Sequence, residues 1–254
     1  MSWASRRRFV IIGILGAVAL AFFAILFITV FYDAPSCTDR VQNQEESGVD
    51  CGGPCEFLCI GEQRPPTVLF TKALSNAAGR VDIIASVENK NLAAAAKNVP
   101  YRISLFDARQ TLIKEASGTL DLPPGATVPV FVPGVASGGE EVATAFLSIA
   151  AGAIKWYTLS ASARSVPLVS SAKQGGTLSA PRVEAILENP TTAPINGVRA
   201  IVMVRGKEGN VIAASETIIS SIPAGGQATA IFTWNEAFGD TPAAIEVAPI
   251  VPLP

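Results

Sequence analysis

The sequence predicts an all-β protein of two tandem β-sandwiches, preceded by one transmembrane helix and a small disulfide-rich module. Three observations lead to this fold class. A run of 24 residues without a charge follows the N-terminal arginines, and all four cysteines fall within residues 37–59. The rest of the chain consists of short Val-, Ile-, Thr- and Ala-rich stretches between Gly, Pro and Asn. These patterns are typical of a membrane span, of disulfides, and of strands joined by turns.

The uncharged run at residues 9–32 predicts a transmembrane helix. A helix of this length extends about 36 Å, more than the ~30 Å hydrocarbon core of a bilayer. Because Arg6, Arg7 and Arg8 precede the run and Asp33 follows it, the positive-inside rule predicts that residues 1–8 are cytoplasmic. Residues 33–254 are then extracytoplasmic, and the protein is a single-pass protein of the cell membrane.

Two other interpretations of this N-terminal segment stay open. A cleaved signal peptide also has a basic start and an apolar core, but this core is longer than usual and lacks a small-x-small cleavage site. A lipoprotein signal at Cys37 lacks the leucine and the small pair expected before the cysteine. Within the span, Gly13, Ala17 and Ala21 lie on one helix face, where small side chains permit close helix packing. The anchor is therefore expected either to associate through this face or to remain a lipid-facing monomer.

The four cysteines predict two disulfides. Their spacing is C-x13-C-x3-C-x3-C at Cys37, Cys51, Cys55 and Cys59, directly after the span. An even number of cysteines outside a membrane indicates disulfides, with three connectivities to choose from. A zinc site of four thiolates is the alternative, although the usual C-x2-C pairs are missing.

The residues from Cys37 to Cys55 follow the pattern C-x-D-x3-N-Q-x-E-x-G-V-D-C-G-G-P-C. This segment resembles a short cysteine-rich module of bacterial exported and surface-anchored proteins. Its polar side chains supply hard oxygen ligands of the kind that Ca²⁺ binds, namely Asp39, Asn43, Glu46 and Asp50. The alternative is a loop of solvated polar residues. Arg40 stands where a glycine is common in the resembling module, which argues against a tight metal loop.

After residue 64 the pattern predicts strands at residues 67–73, 80–88, 99–106, 111–115, 118–122, 127–132, 141–149 and 155–163. Alternation in residues 81–88 indicates a sandwich strand, with apolar residues at the odd positions. Asp82, Ser86 and Glu88 are then expected to face water. Seven or eight such strands in about 100 residues fit one sandwich.

The second half of the chain repeats the first at an offset near 100. Asn89 corresponds to Asn189, and the turn at residues 123–125 corresponds to the turn at residues 223–225. This register predicts a tandem duplication with one sandwich at residues 65–165 and another at residues 166–254. The two asparagines are expected to satisfy backbone groups of the loops that follow them.

The first repeat carries a further resemblance. Its phrases are Val87-Glu88-Asn89, Val99-Pro100-Tyr101, Ile103-Ser104-Leu105-Phe106-Asp107, Gly118 and Pro123-Pro124-Gly125. They resemble the FxLYD family and the related water-stress β-sandwich of late embryogenesis abundant proteins. The resemblance implies immunoglobulin-like β-sandwiches without a known catalytic centre.

Composition excludes several function classes. The chain has no histidine, which excludes Ser/His/Asp and Cys/His catalysis and His-ligated metals. After the span, 16 Lys and Arg stand against 21 Asp and Glu, which argues against nucleic-acid binding. Ser170 and Lys173 match an S-x-x-K motif, but in a strand they point to opposite faces. We therefore expect no enzyme and no cofactor other than calcium.

The expected function is that of a non-enzymatic, membrane-anchored extracytoplasmic binding or scaffold protein, with an unknown protein or glycan as partner. Four aromatic residues are the candidate binding surface if exposed, and core residues if buried: Phe146, Trp156, Tyr157 and Trp234. The alternative function is a structural subunit of a cell-envelope or secretion assembly that associates through its transmembrane helix.

Overall fold

The computed structural model describes residues 3–31, 36–76, 79–136, 141–150, 152 and 154–254. The chain forms two compact units, Met1–Pro54 and Cys55–Pro254. The first unit contains the only α-helix of the described residues, and the second contains all of their strands. The predicted end of the span at Tyr32 lies outside the described residues.

Helix α1, Trp3–Phe31, forms from the apolar run and the arginines before it. Its segment Arg6–Val30 has a mean hydropathy of 2.9, and none of that apolar surface is buried within the chain. A helix that is apolar all round and has no protein neighbour is expected in a membrane rather than in water. The predicted N-terminal apolar helix is confirmed, and by length and composition it suits a membrane anchor or a signal sequence.

The first sandwich contains seven strands: β1 (Thr67–Ser75), β2 (Val81–Glu88), β3 (Ala94–Phe106), β4 (Leu112–Leu122), β5 (Thr127–Ala136), β6 (Thr144–Ile149) and β7 (Tyr157–Thr158). One sheet has the order β1-β2-β5 and the other the order β4-β3-β6, with β7 paired to the start of β3. All pairs are antiparallel.

The second sandwich contains six strands: β8 (Leu168–Gly176), β9 (Pro181–Glu188), β10 (Ile195–Gly206), β11 (Val211–Ile222), β12 (Gln227–Thr233) and β13 (Pro242–Ile250). Its sheets have the orders β8-β9-β12 and β11-β10-β13. Each strand from β8 to β13 therefore occupies the position of its counterpart from β1 to β6. The all-β sandwich class is confirmed, whereas the domain boundaries at residues 65, 165 and 166 stay predictions.

Each sandwich has its own apolar core, as the alternating strands predict. The first core includes Ile83, Ile103, Leu122 and Trp156, and the second includes Leu187 and Phe232 among its fully buried side chains. Two small cores, rather than one large core, therefore hold the second unit together.

Two strand predictions were wrong in detail. The strands predicted at residues 111–115 and 118–122 belong to the single strand β4. Gly118 does not interrupt this strand: it pairs with Tyr101, and a β-carbon at this position would collide with the tyrosine hydroxyl. Residues 155–163 form only the short β7 and a 3-10 turn at Ala161–Ala163.

Asn89 and Asn189 hold the same turn in both sandwiches. The side-chain amide of Asn89 donates to the carbonyls of Ala94 (2.8 Å) and Pro123 (2.7 Å). That of Asn189 donates to Ala193 (2.8 Å) and Pro223 (3.0 Å). Both asparagines are buried. The predicted structural role of the two asparagines is confirmed.

We expect Asn89→Ala and Asn189→Ala each to lower the free energy of unfolding by about 2–4 kcal/mol, because buried carbonyls lose their donors. Urea denaturation of the purified chain measures this. Asn196→Ala is the control, since Asn196 is exposed on β10, and it should change stability by less than about 0.5 kcal/mol. Equal effects of all three substitutions would contradict the role of the two buried asparagines.

A third apolar cluster joins the two sandwiches. Ile84 on the outer face of sheet β1-β2-β5 packs with Ile201 and Met203 on the outer face of sheet β11-β10-β13. Ile84 and Ile201 are fully buried. We call this contact the seam. It also buries Ser86, so the expectation that Ser86 faces water was wrong: a second sheet covers the face that alternation assigns to solvent.

Polar contacts continue along the seam. The guanidinium of Arg205 binds the carboxylate of Glu246 through two bonds of 2.8 and 3.1 Å and lies 5.8 Å from the ring of Phe70. Arg199 pairs with Glu216 at 3.5 Å, and burial, opposed by Arg199, raises the pKa of Glu216. The backbone N–H of Leu253 donates to Asp121 of the first sandwich at 3.3 Å.

Equivalent positions of the two repeats explain which faces form the seam. The seam residue Ile84 corresponds to Glu184, which lies exposed in an ion pair with Arg182. Ile201 and Met203 correspond to Arg102 and Ser104 on the free face of the first sandwich. At these positions, one repeat therefore has an apolar residue that packs in the seam, and the other repeat has a polar residue that faces water.

Ile84→Glu should separate the sandwiches, because an unpaired carboxylate cannot stay in the apolar seam without a cost of several kcal/mol. We expect one calorimetric unfolding transition for the wild type and two for the variant. Glu184→Ile is the matched control, since it makes the reverse exchange on an exposed face and should keep the single transition. An Ile84→Glu protein that unfolds like the wild type would show that the seam does not couple the sandwiches.

Candidate binding surfaces

The four aromatic residues singled out by the sequence lie in three separate environments. Trp156 is 2% exposed and belongs to the first core, so it is not available as a surface residue. Its carbonyl accepts a hydrogen bond from Leu58, which draws this segment into the sandwich. Tyr157 is half-buried beside it, and burial is the main cause of its raised pKa. The aromatic residues therefore do not form one patch.

Phe146 and Trp234 lie away from the pair formed by Trp156 and Tyr157. Phe146 is 59% exposed and contacts Phe106 edge-to-face at 5.9 Å on the free face of sheet β4-β3-β6. Trp234 is half-buried, donates its indole N–H to the carbonyl of Ala214 (3.3 Å), and contacts Phe238 edge-to-face at 5.0 Å. Only Trp234 lies beside a cavity that both sandwiches line.

This cavity, which we call the seam groove, has a volume of about 310 Å³. Its walls are the end of β1, the start of β2, part of β11 and the loop after β12. Its lining includes Asn76, Asp82, Trp234, Glu236 and Phe238. Because its walls come from both sandwiches, the groove exists only while the seam is closed.

Sequence reasoning identified Trp234 but missed the rest of the groove. Asp82 was expected to face water, and Glu236 and Phe238 gave no signal by themselves. The spacing of Trp234 and Phe238 in one loop was the only available hint. Strand alternation does not indicate which outer sheet faces contact each other. The groove could not be predicted because it forms where two such faces meet.

The cysteine module is built around hydrogen bonds from its backbone. All four cysteines are disulfide-bonded, as predicted. Asp39 accepts hydrogen bonds from Ser36 and Val41 N–H and from the amide of Asn43 (3.0, 2.8 and 2.7 Å). The bond from Asn43 is the main cause of the lowered pKa of Asp39. Both carboxylate oxygens of Asp50 accept the N–H of Arg40 at 3.0 and 3.1 Å.

These bonds stabilise a loop with unusual backbone angles. Arg40 has φ of 63°, in the left-handed region that favours glycine. Glu46 accepts the N–H of Asp50 at 3.1 Å. Among the described residues, the carboxylates of Asp39, Glu46 and Asp50 do not come together around one point. The four polar residues thus have a structural role in the loop, and calcium binding stays a prediction.

The remaining predicted residues are not among those that line the groove. The predicted residues of α1 are all exposed, namely Arg6, Arg7, Arg8, Gly13, Ala17 and Ala21. Arg7 lies 5.5 Å from the ring of Trp3. Ser170 and Lys173 are exposed on the edge strand β8, where the Ser170 hydroxyl donates to the carbonyl of Ile186 at 3.4 Å.

Comparison with known proteins adds no information on fold or function. No protein-family model and no curated protein matches the sequence. Among solved structures, the chain is similar to red sea bream transglutaminase, with 9% identity and a TM-score of 0.24 over 75% of this chain. The match covers 32% of that protein, so this chain spans about a third of its length. A likeness of this degree carries no information on activity.

We expect the four cysteines to be unreactive toward maleimide in the folded protein and to label fully after reduction. The reason is that each sulfur is already in a disulfide. Intact-mass spectrometry counts the labels before and after reduction. Label on any cysteine of the unreduced, folded chain would contradict the disulfide assignment.

Proposed function

We propose that the protein is a non-enzymatic, membrane-anchored binding or scaffold protein that presents its two β-sandwiches outside the cell membrane. Helix α1 serves as an uncleaved anchor in this proposal, with Arg6, Arg7 and Arg8 on the cytoplasmic side. The apolar length of α1, the basic residues before it and the disulfides after it support this topology.

The seam groove is the observation that carries the binding function. Ligand sites occur preferentially at contacts between domains, where concave surfaces are lined by aromatic and a few polar side chains. The groove combines the edge-to-face pair of Trp234 and Phe238 with the carboxylates of Asp82 and Glu236. Tryptophan in such a position is a common source of binding energy at protein interfaces.

The seam makes the two sandwiches one presenting unit. Deleting residues 166–254 would uncover Ile84, Phe70 and Phe131, which the second sandwich covers. Such a truncation would create an apolar patch prone to non-specific contacts. Point variants in the groove therefore test the function more cleanly than truncation does.

A structural subunit that assembles through α1 is the second candidate function. It is supported by the small-residue face of α1, where a β-carbon at Gly13 would meet no atom within 4 Å. A partner helix could approach that face closely.

The test is site-specific photo-crosslinking of the full chain in native membranes. A photoreactive phenylalanine analogue at Ala237, on the groove, should give a discrete adduct with one partner. Trp234→Ala should reduce that adduct about tenfold or more, because a buried aromatic contact is lost. The same analogue at Phe146, the other exposed aromatic, is the position control.

Each outcome separates the candidates. An adduct at Ala237 that depends on Trp234 supports the groove as the binding surface. Adducts at Phe146 alone would move the binding surface to the free face of the first sandwich and overturn the groove. Adducts whose yield is unchanged by Trp234→Ala but which disappear in the Gly13→Leu variant would favour assembly through the helix.

A further inference from the structure

The charged side chains that line the seam groove are carboxylates. Asp82 and Glu236 line the groove, and Asp240 lines a neighbouring cavity of about 380 Å³ on the other side of Phe238. Among the described residues that line the two cavities there is no Lys or Arg. A concave site with low-dielectric walls concentrates the field of such carboxylates.

The acidic residue at this corner of the first sandwich is not conserved between the two repeats. Asp82 corresponds to Arg182 in the second sandwich, so the charge is reversed at the equivalent corner. Asp82 forms an ion pair with Arg80, whose Nε binds Oδ1 at 2.8 Å, and the N–H of Gly134 donates to the same oxygen at 2.6 Å. Among the described residues, Oδ2 keeps its acceptor capacity.

The aromatic pair adds a second source of attraction for a cation. Trp234 is fixed by its hydrogen bond to Ala214, and Phe238 stands at 75° to it, 5.0 Å away. Aromatic faces attract ammonium and guanidinium groups, and tryptophan does so most strongly. The volume of about 310 Å³ is at the lower end for ligand pockets, which suits a single side chain rather than a folded element.

We infer that the seam groove binds a basic side chain, Lys or Arg, presented by an extended segment of a partner protein. This inference rests on the proposed binding function and names the chemistry that the partner must offer. Carboxylates of Asp82 and Glu236 pair with the cation while the aromatic rings pack against its aliphatic stem and charged end. A neutral glycan, the other partner class, could donate hydrogen bonds to these carboxylates but would lack the ionic attraction.

The experiment uses the full chain in nanodiscs of neutral phosphatidylcholine. The probes are a blocked Gly-Gly-Arg-Gly-Gly peptide, the same peptide with neutral citrulline in place of arginine, and chitotetraose. Tryptophan fluorescence reports binding at Trp234, and Trp234→Phe gives the background from the other tryptophans. We expect saturable binding of the arginine peptide that weakens severalfold between about 50 and about 500 mM NaCl.

Charge-neutral variants then test the two carboxylates. Glu236→Gln and Asp82→Asn should each weaken the arginine peptide about fivefold to tenfold. Glu184→Gln is the matched control, because it removes an exposed carboxylate on sheet β8-β9-β12 and should leave binding unchanged. Thermal melting of each variant confirms that it is folded. If one of the two variants does not fold, the other variant alone provides the test.

Three results would overturn the inference: equal binding of the citrulline peptide, binding that is insensitive to salt and to both variants, or saturable binding of chitotetraose alone. The last result would leave the proposed binding function intact. A Trp234-dependent crosslink in membranes together with no arginine binding would likewise reject the cationic ligand and keep the groove.

Discussion

The apolar contact between Ile84 and the pair Ile201 and Met203 is the constraint on which the arrangement of the second unit depends. A sandwich strand normally has one apolar face and one wet face, but β2 and β10 are apolar on both faces at these positions. Ile83 enters the first core while its neighbour Ile84 enters the seam. Without the seam, each outer sheet face would expose large side chains to water, which soluble domains rarely tolerate as a continuous patch. The seam therefore fixes two small cores as one body and creates the groove between them.

The same comparison of repeats explains why the other two outer faces of these sandwiches are polar. In stacked repeats, a face that no neighbouring copy covers must be polar to remain in water. Glu184 and Arg182 form an ion pair of 2.6 Å on the outer face of the second sandwich. Arg102 pairs with Glu115 at 3.6 Å on the outer face of the first sandwich. A charged face opposes edge-on or face-on addition of another sandwich because its charges would have to be desolvated. Polar substitutions thus suit both of these faces to contact with water.

Sequence reasoning predicted the features that depend on local pattern. The apolar helix, the disulfides, the two sandwich cores and the buried asparagines follow from periodicity, compartment and turn chemistry. It failed where a distant part of the chain decides the outcome. Ser86 alternates as a solvent residue and is buried by another sheet, and Gly118 resembles a strand break but makes room for Tyr101. Trp234 could be singled out as an aromatic candidate, yet the carboxylates that accompany it are assembled only by the seam.

Because both sandwiches line the groove, the free energy of ligand binding there is coupled to the free energy of seam closure. A ligand that contacts Asp82 on β2 and Trp234 beyond β12 binds the closed seam and not the open one. By linkage, such a ligand stabilises the closed seam by RT ln(1 + [L]/Kd), where [L] is the free ligand concentration. The reverse also holds: a change that weakens the apolar contact lowers the population of the competent groove and so weakens apparent affinity by the same factor. Under the proposed binding function, residues such as Met203, which are not among those that line the groove, would therefore alter affinity through packing alone.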